Sequence, residues 1–214
     1  MDGVLIDSEP LYVEMNKELF SELGISIEPS EYHQFVGMSS PLMWTMIRDK
    51  FSLSQSATEL MDMEKTRIHQ LLSSDRISAP ISGVENLLGS LREKDIVMSV
   101  ASSSARKNVE TILQKLDIAQ YFEAVVCGED IDNGKPAPDI FLKASLLVDV
   151  PAAYCVVIED SYNGLSGAKA ARMRCIGYAG DIDSKQDLSG ADMIIKSFHE
   201  NDIEKVIRFI EEKN

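Results

Sequence analysis

The 214 residues carry 35 acidic against 21 Lys/Arg side chains, a formal charge of −14, with 44% hydrophobic residues. That balance excludes a nucleic-acid surface built on Lys/Arg contacts to phosphates, and no apolar run has the length of a membrane span or the flanks of a signal peptide. The expectation is a soluble, cytoplasmic protein with room for one full domain and a small appended one.

The chain opens MDGVLIDSEP, an apolar stretch between Asp2 and Asp7. From about residue 11 to 80 the pattern is helical throughout. LYVEMNKELFSELG and TELMDMEKTRIHQLL read as amphipathic helices, and LMWTMI (42–47) as a helix with Leu42, Met46 and Ile47 on its apolar side. The Met and Trp residues of this block are read as core filler rather than a cofactor site. APISG (79–83) looks like a hinge, and VENLLGSLRE follows with Val84, Leu87, Leu88 and Leu91 on one face. After it strands and helices alternate: strands at 96–101, 122–127, 154–158, 174–179 and 192–196, and helices at 105–116, 138–147, 162–171 and 203–212. Alternation of this kind predicts an α/β fold with a parallel, doubly wound sheet covered on both faces. The expected division is a core of residues 1–11 plus 81–214 with residues 12–80 inserted as an all-helical block.

Cys127, Cys155 and Cys175 lie in strand-like stretches without metal-ligand spacing and read as reduced, buried thiols. His33, His69 and His199 are far apart, and surface or packing roles fit them better than catalysis.

In open α/β sheets ligands bind beyond the carboxyl ends of the strands, so the strand exits are the places to look for chemistry. VVIEDS ends a strand on Glu159 and Asp160. Adjacent carboxylates repel unless a hard divalent cation compensates them; the alternative is that Asp160 or Ser161 simply caps the next helix. VASSS ends another strand on Ser102, Ser103 and Ser104, either an anion site of hydroxyls and free N–H groups or an ordinary N-cap. NGKPAPDIF sets Lys135 in a Gly/Pro loop, placed to reach a phosphate or to stand in solvent. Taken together, a cation site, an anion site and a lysine at one end of one sheet suit the stabilisation of a phosphoryl group during transfer.

MDGVLIDSEP, VASSS, NGKPAPDIF and VVIEDSYNGLSGAKAA, in that order, resemble the haloacid dehalogenase superfamily, in its β-phosphoglucomutase-like and phosphoglycolate phosphatase-like branch. The resemblance covers essentially the whole chain. It implies a Rossmann-like parallel-sheet core with an inserted helical cap, magnesium as cofactor and an aspartyl-phosphate mechanism. It assigns Asp2 as general acid/base with its carbonyl on magnesium, Ser102 as the hydrogen-bond donor to the phosphoryl group and Lys135 as its neutralising cation. Glu159 and Asp160 become the acidic magnesium ligands; Ser103 and Ser104, from the anion-site reading of VASSS, are expected substrate contacts.

The chain departs from the family pattern in two places. The family's nucleophilic aspartate stands two positions before the residue matched by Asp2, one position ahead of Met1, and the apolar strand that carries it is likewise not among the 214 residues. The expectation drawn from this is a true start upstream of Met1. In VGMSSPL, which resembles the family's specificity loop, Gly37 is the loop glycine, and Ser40 matches an arginine that grips the distal phosphate in β-phosphoglucomutases. Arg48 or Arg106 could take over that grip. The leading expectation is a magnesium-dependent phosphatase of a small phosphorylated metabolite, such as a sugar phosphate, working as a monomer or weak homodimer. The alternatives are a phosphomutase of the β-phosphoglucomutase type and an inactive, N-terminally truncated phosphate- or metal-binding relic. A receiver-type signalling domain is excluded by length and by the helical insertion, and a dehalogenase is disfavoured by Asp2.

Overall fold

The computed structural model describes residues 1–28, 31, 40–180 and 186–212. The chain divides into two compact units, Ser8–Ile77 and Met1–Asp7 with Ser78–Asn214, so the first is inserted into the second.

The inserted unit contains α1 (Glu9–Glu22), α2 (Ser40–Phe51) and α3 (Ala57–Ser73). Pro10 sits in the first turn of α1, where its missing N–H costs no intrahelical bond. α3 starts on a capping box: the Ser56 hydroxyl accepts from the Glu59 N–H at 3.2 Å, and the Glu59 carboxylate accepts from the Ser56 N–H at 2.7 Å. Leu19 and Phe20 of α1, Met43, Trp44 and Ile47 of α2 and Leu60 of α3 form one buried cluster. The Trp44 ring meets Phe20 edge-on, centroids 5.8 Å apart.

The buried face of α2 differs from the one expected from periodicity. Leu42 and Met46 are exposed, and Met43 and Trp44 are buried with Ile47. The indole decides this: it fills the cluster and, from full burial, donates its Nε1–H at 2.9 Å to Glu64 Oε2 on α3. The Ser40 hydroxyl donates to the same oxygen. Glu64 is thus a buried carboxylate tying α2 to α3.

The second unit runs through α4 (Val84–Glu93), β1 (Ser99–Ser102), α5 (Arg106–Lys115), β2 (Ala124–Cys127), α6 (Asp139–Leu147), β3 (Val156–Glu159), α7 (Tyr162–Ala170), β4 (Arg174–Tyr178), β5 (Met193–Ile195) and α8 (Glu200–Glu211). α4 buries Val84, Leu87, Leu88 and Leu91, the face set by their 3-1-3 spacing. Every strand pair is parallel, and the pairing falls into two groups. β1 joins β2 with Ser99 opposite Ala124, and β3–β4–β5 form a three-stranded group with Val156 opposite Arg174 and Ile176 opposite Met193. The first three strands start two residues or more later than the apolar patterning suggests. Ile96–Met98 and residues 122–123 lie ahead of the first ladder pair, and residues 152–154 form a short 3₁₀ turn before β3. Apolar residues ahead of a ladder still bury side chains, but strand geometry begins where a neighbour supplies main-chain partners.

Val126, Ile140, Phe141, Leu165, Met173 and Cys175 belong to one core cluster, which packs α6 and α7 against β2 and β4 and so spans both groups of strands. Cys127 and Cys175 are buried, Cys155 is partly so, and all three are free thiols. Among the described residues no helix is long and apolar enough to cross a membrane.

Replacing Trp44 by Phe keeps most of the ring and removes one donor from a buried carboxylate. Urea unfolding of Trp44→Phe is expected to show a loss of about 1–3 kcal/mol; an unchanged midpoint and slope would mean that the Glu64 contact contributes nothing.

Candidate active site

Three strand or loop ends of the second unit converge on one ammonium group. Lys135 lies in the loop between β2 and α6, and its side chain is only 12% exposed. Its Nζ donates to the carboxylate of Glu159, the last residue of β3, and at 3.5 Å to the carbonyl of Ala101 in β1. The ammonium also stands 4.9 Å from the Phe141 ring centroid on α6.

Glu159 is held on its other oxygen by the Ser161 hydroxyl at 3.0 Å and the Ser161 N–H at 3.3 Å. Ser161 in turn caps α7, its hydroxyl accepting from the Gly164 N–H at 3.0 Å. Gly164 must lack a side chain, because a Cβ there would fall 2.0 Å from the Glu159 carboxyl carbon. Burial alone would raise the Glu159 pKa, but the Lys135 charge and hydrogen bond, with help from the Met1 ammonium and Ser161, hold it below the usual carboxylate range.

Asp160 lies in the opposite electrostatic situation. Burial, and then repulsion from Glu159, push its pKa up to about 6, against a smaller pull from the Met1 ammonium and Lys135. Its carboxylate is seated against the N-terminal turn. Gly3 has φ +68°, and a Cβ at that position would lie 1.9 Å from Asp160 Oδ2. The same turn, closed by the Gly3 N–H to Ile6 carbonyl bond at 2.9 Å, presents Asp2. Asp2 Oδ2 accepts from the Ser104 hydroxyl at 2.8 Å, and the Ser104 N–H donates to the Ser102 hydroxyl at 3.2 Å.

Asp2, Ser102, Ser104, Lys135, Glu159 and Asp160 therefore sit around the carboxyl ends of β1 and β3, with the Ser103 carbonyl packed on Gly128. Ser40 belongs to the inserted unit and donates to Glu64, while Gly37 lies outside the described residues. The two arginines considered as substitutes are both engaged, Arg48 with Asp49 and Arg106 with Asp130 and Glu110. Sequence reasoning passed over Ser161 and Gly164 as site residues; the readable signal was a Ser followed three positions later by Gly at a helix start.

Among the described residues no three His, Cys, Asp or Glu side chains converge as a metal cluster. The donors present still suit a hard divalent cation of the magnesium type, which typically takes one or two carboxylates and fills its shell with waters and phosphate oxygens. Asp160 offers a buried carboxylate whose charge the Met1 ammonium and Lys135 offset only in part, and Asp2 stands on the turn that seats it.

The family model for haloacid dehalogenase-like hydrolases matches residues 1–178. The chain belongs to that family. Two bacterial relatives of known name cover most of it. Hexitol phosphatase B of Escherichia coli is 31% identical over 82% of this chain and 79% of its own length, and the β-phosphoglucomutase of Bacillus subtilis 29% identical over 92% and 86%. The chloroplastic protein Suppressor of Quenching 1 of Arabidopsis thaliana is 32% identical over 82% of this chain, which spans only 17% of that protein. The crystal structure of CbbY from Rhodobacter sphaeroides in complex with phosphate superposes with a TM-score of 0.78 at 26% identity, over 94% of this chain and 92% of that one. Family membership accounts for the α/β core with its helical insertion and makes the chain a haloacid dehalogenase-like hydrolase.

The Asp160 environment has a pH signature. Its folded pKa of about 6 lies above the ordinary 3.8, so the folded state retains a proton that the unfolded chain gives up. The associated stability is fully present below about pH 4 and is lost as pH rises through about 6. Asp160→Asn copies the protonated form, and without divalent cations it is expected to gain up to about 3 kcal/mol over the parent by pH 8, two units at ~1.4 kcal/mol each. Urea unfolding across pH 5–8 checks this through a difference that grows with pH.

Proposed function

We propose that this hydrolase is a magnesium-dependent phosphatase of a small phosphorylated metabolite, a sugar phosphate being the class best supported by its relatives. The observation that carries the reading is the charge arrangement around Lys135. Glu159 binds the Lys135 ammonium, Asp160 beside it has its pKa driven to about 6, and Asp2 stands on the turn packed against Asp160. A phosphate dianion entering such a site needs more positive charge than Lys135 supplies. Asp160 and Asp2 would hold a magnesium ion, which would supply the remaining positive charge for the phosphoryl oxygens.

In this reading Lys135 turns from the Ala101 carbonyl toward a phosphoryl oxygen while Glu159 keeps hold of it. Ser102 donates to the same group, and the helix start after VASSS adds N–H donors. With the family's aspartate standing two positions before Asp2, that carboxylate would attack phosphorus as the bond to the leaving alkoxide breaks, Asp2 would give the alkoxide its proton, and Asp2 would later take a proton from the water that cleaves the aspartyl-phosphate. Ser104 orients that carboxyl through its 2.8 Å bond. Glu159 is proposed as the residue that positions Lys135, with Asp160 carrying more of the cation binding. A phosphatase is preferred to a phosphomutase because a mutase must grip a phosphate at each end of its substrate. Ser40, at the position of the family's distal arginine, has its hydroxyl committed to Glu64, and Arg48 and Arg106 are paired with acids.

The test is phosphate release from a panel of sugar and polyol phosphates with and without magnesium. Two proteins are assayed, the 214-residue chain and the same chain preceded by an apolar stretch ending in Phe-Asp, which places the family's nucleophile two positions before Asp2. Turnover that requires magnesium and falls about 100- to 1,000-fold in Lys135→Ala supports the phosphatase reading. Isomer formed faster than phosphate would favour the mutase, and no turnover by either protein would leave a phosphate-binding relic.

A further inference from the structure

Lys135 and Phe141 belong to one short segment. After the lysine the chain passes Pro136, Ala137 and Pro138 and turns into α6, where the N–H groups of Phe141 and Leu142 both donate at 3.0 Å to the Pro138 carbonyl. This return brings the ring to the ammonium, whose Nζ stands over it, 4.9 Å from the centroid. Phe141 is 4% exposed and packs in the core cluster with Ile140, Leu165 and Cys175. Gly167 on α7 leaves room for its edge, since a Cβ there would lie 3.1 Å from Phe141 Cε2. The ring is a fixed wall, whereas the lysine is a flexible stem.

A lysine ammonium carries three N–H donors. Glu159 takes one, and the Ala101 carbonyl, at 3.5 Å, holds another weakly. Asp160, whose charge Lys135 offsets in part, gives the stem a second place to go. Attraction of a cation to a ring face favours the position between β1 and β3. It counts for more where water is scarce, as around a lysine side chain 12% exposed. An aliphatic residue at 141 would fill the core and exert no such pull. Affinity for an incoming anion scales with the fraction of molecules whose ammonium already stands in the competent position.

We propose that Phe141 is a positioning residue: its ring face holds the Lys135 ammonium between the ends of β1 and β3, ready for an oxyanion. The inference rests on the phosphatase reading for what Lys135 does, and the ring acts on phosphate only through that lysine. The probe is inorganic phosphate, added in magnesium-containing buffer to the 214-residue chain with isotope-labelled lysine. In the parent the Lys135 ε-methylene protons are expected upfield of those of the other lysines, through the ring current, and back among them in Phe141→Leu. Phe141 is then replaced in turn by mono-, di- and trifluorophenylalanine, which keep the ring and drain negative charge from its face. Phosphate affinity is expected to fall at each step, by about threefold or more over the series, with an unchanged circular dichroism spectrum. Phosphate that shifts the Lys135 signals but binds equally well across the series would overturn the inference and leave the phosphatase reading standing. So would Lys135 signals without the upfield shift. Phosphate that does not bind, or binds and leaves the Lys135 signals in place, would remove the role of Lys135 in that reading and this inference with it.

Discussion

The Lys135 ammonium, held between the Glu159 carboxylate and the Ala101 carbonyl, is the contact on which the rest of the site depends. Both partners are nearly buried, Lys135 at 12% and Glu159 at 8% side-chain exposure. A buried charge without a partner costs several kcal/mol, so each of the two fixes the other. The contact also reaches across the molecule: Ala101 belongs to the β1–β2 group and Glu159 to the β3–β4–β5 group. At the carboxyl ends of these strands one side chain spans the space between the two groups of the sheet.

From that contact the local chemistry follows in order. Glu159 is kept anionic by Lys135, and its charge then acts on Asp160 next to it in the chain. Burial and that repulsion push the Asp160 pKa up to about 6. The same pair thus holds one carboxylate paired with a lysine and one whose charged form is disfavoured by burial and by its neighbour. Gly164 and Gly3 are the steric conditions for the arrangement, since a methyl at either position would overlap a carboxylate. On the proposed reading the site serves phosphoryl transfer, where placement of charge does most of the catalysis.

Much of this was legible in the sequence because it is local. Strand exits, the Ser run, the Gly/Pro loop around Lys135 and the Glu159–Asp160 step can all be read within short windows, and the alternation of elements reveals the α/β class. What the sequence does not display is long-range pairing. Ser104 meets Asp2 across 102 positions, and Lys135 meets Glu159 across 24. Periodicity also misplaced the buried face of α2, because the pattern weighs Leu42 and Met46 like any apolar residue. It does not see that Trp44 finds a hydrogen-bond partner in Glu64, twenty residues away. Strand starts were set too early for a related reason: apolar residues are visible one by one, whereas a ladder needs its neighbour.

A double-mutant cycle on Lys135 and Glu159 tests the central contact most directly. By urea unfolding, Lys135→Met and Glu159→Gln are each expected to cost about 3 kcal/mol, since either leaves a buried charge alone. The double variant is expected to lose about 2 kcal/mol less than the sum of the two. Single losses below about 1 kcal/mol that simply add would contradict it, and would place the lysine and the carboxylate at the carboxyl ends of β1 and β3 as independent, solvated groups.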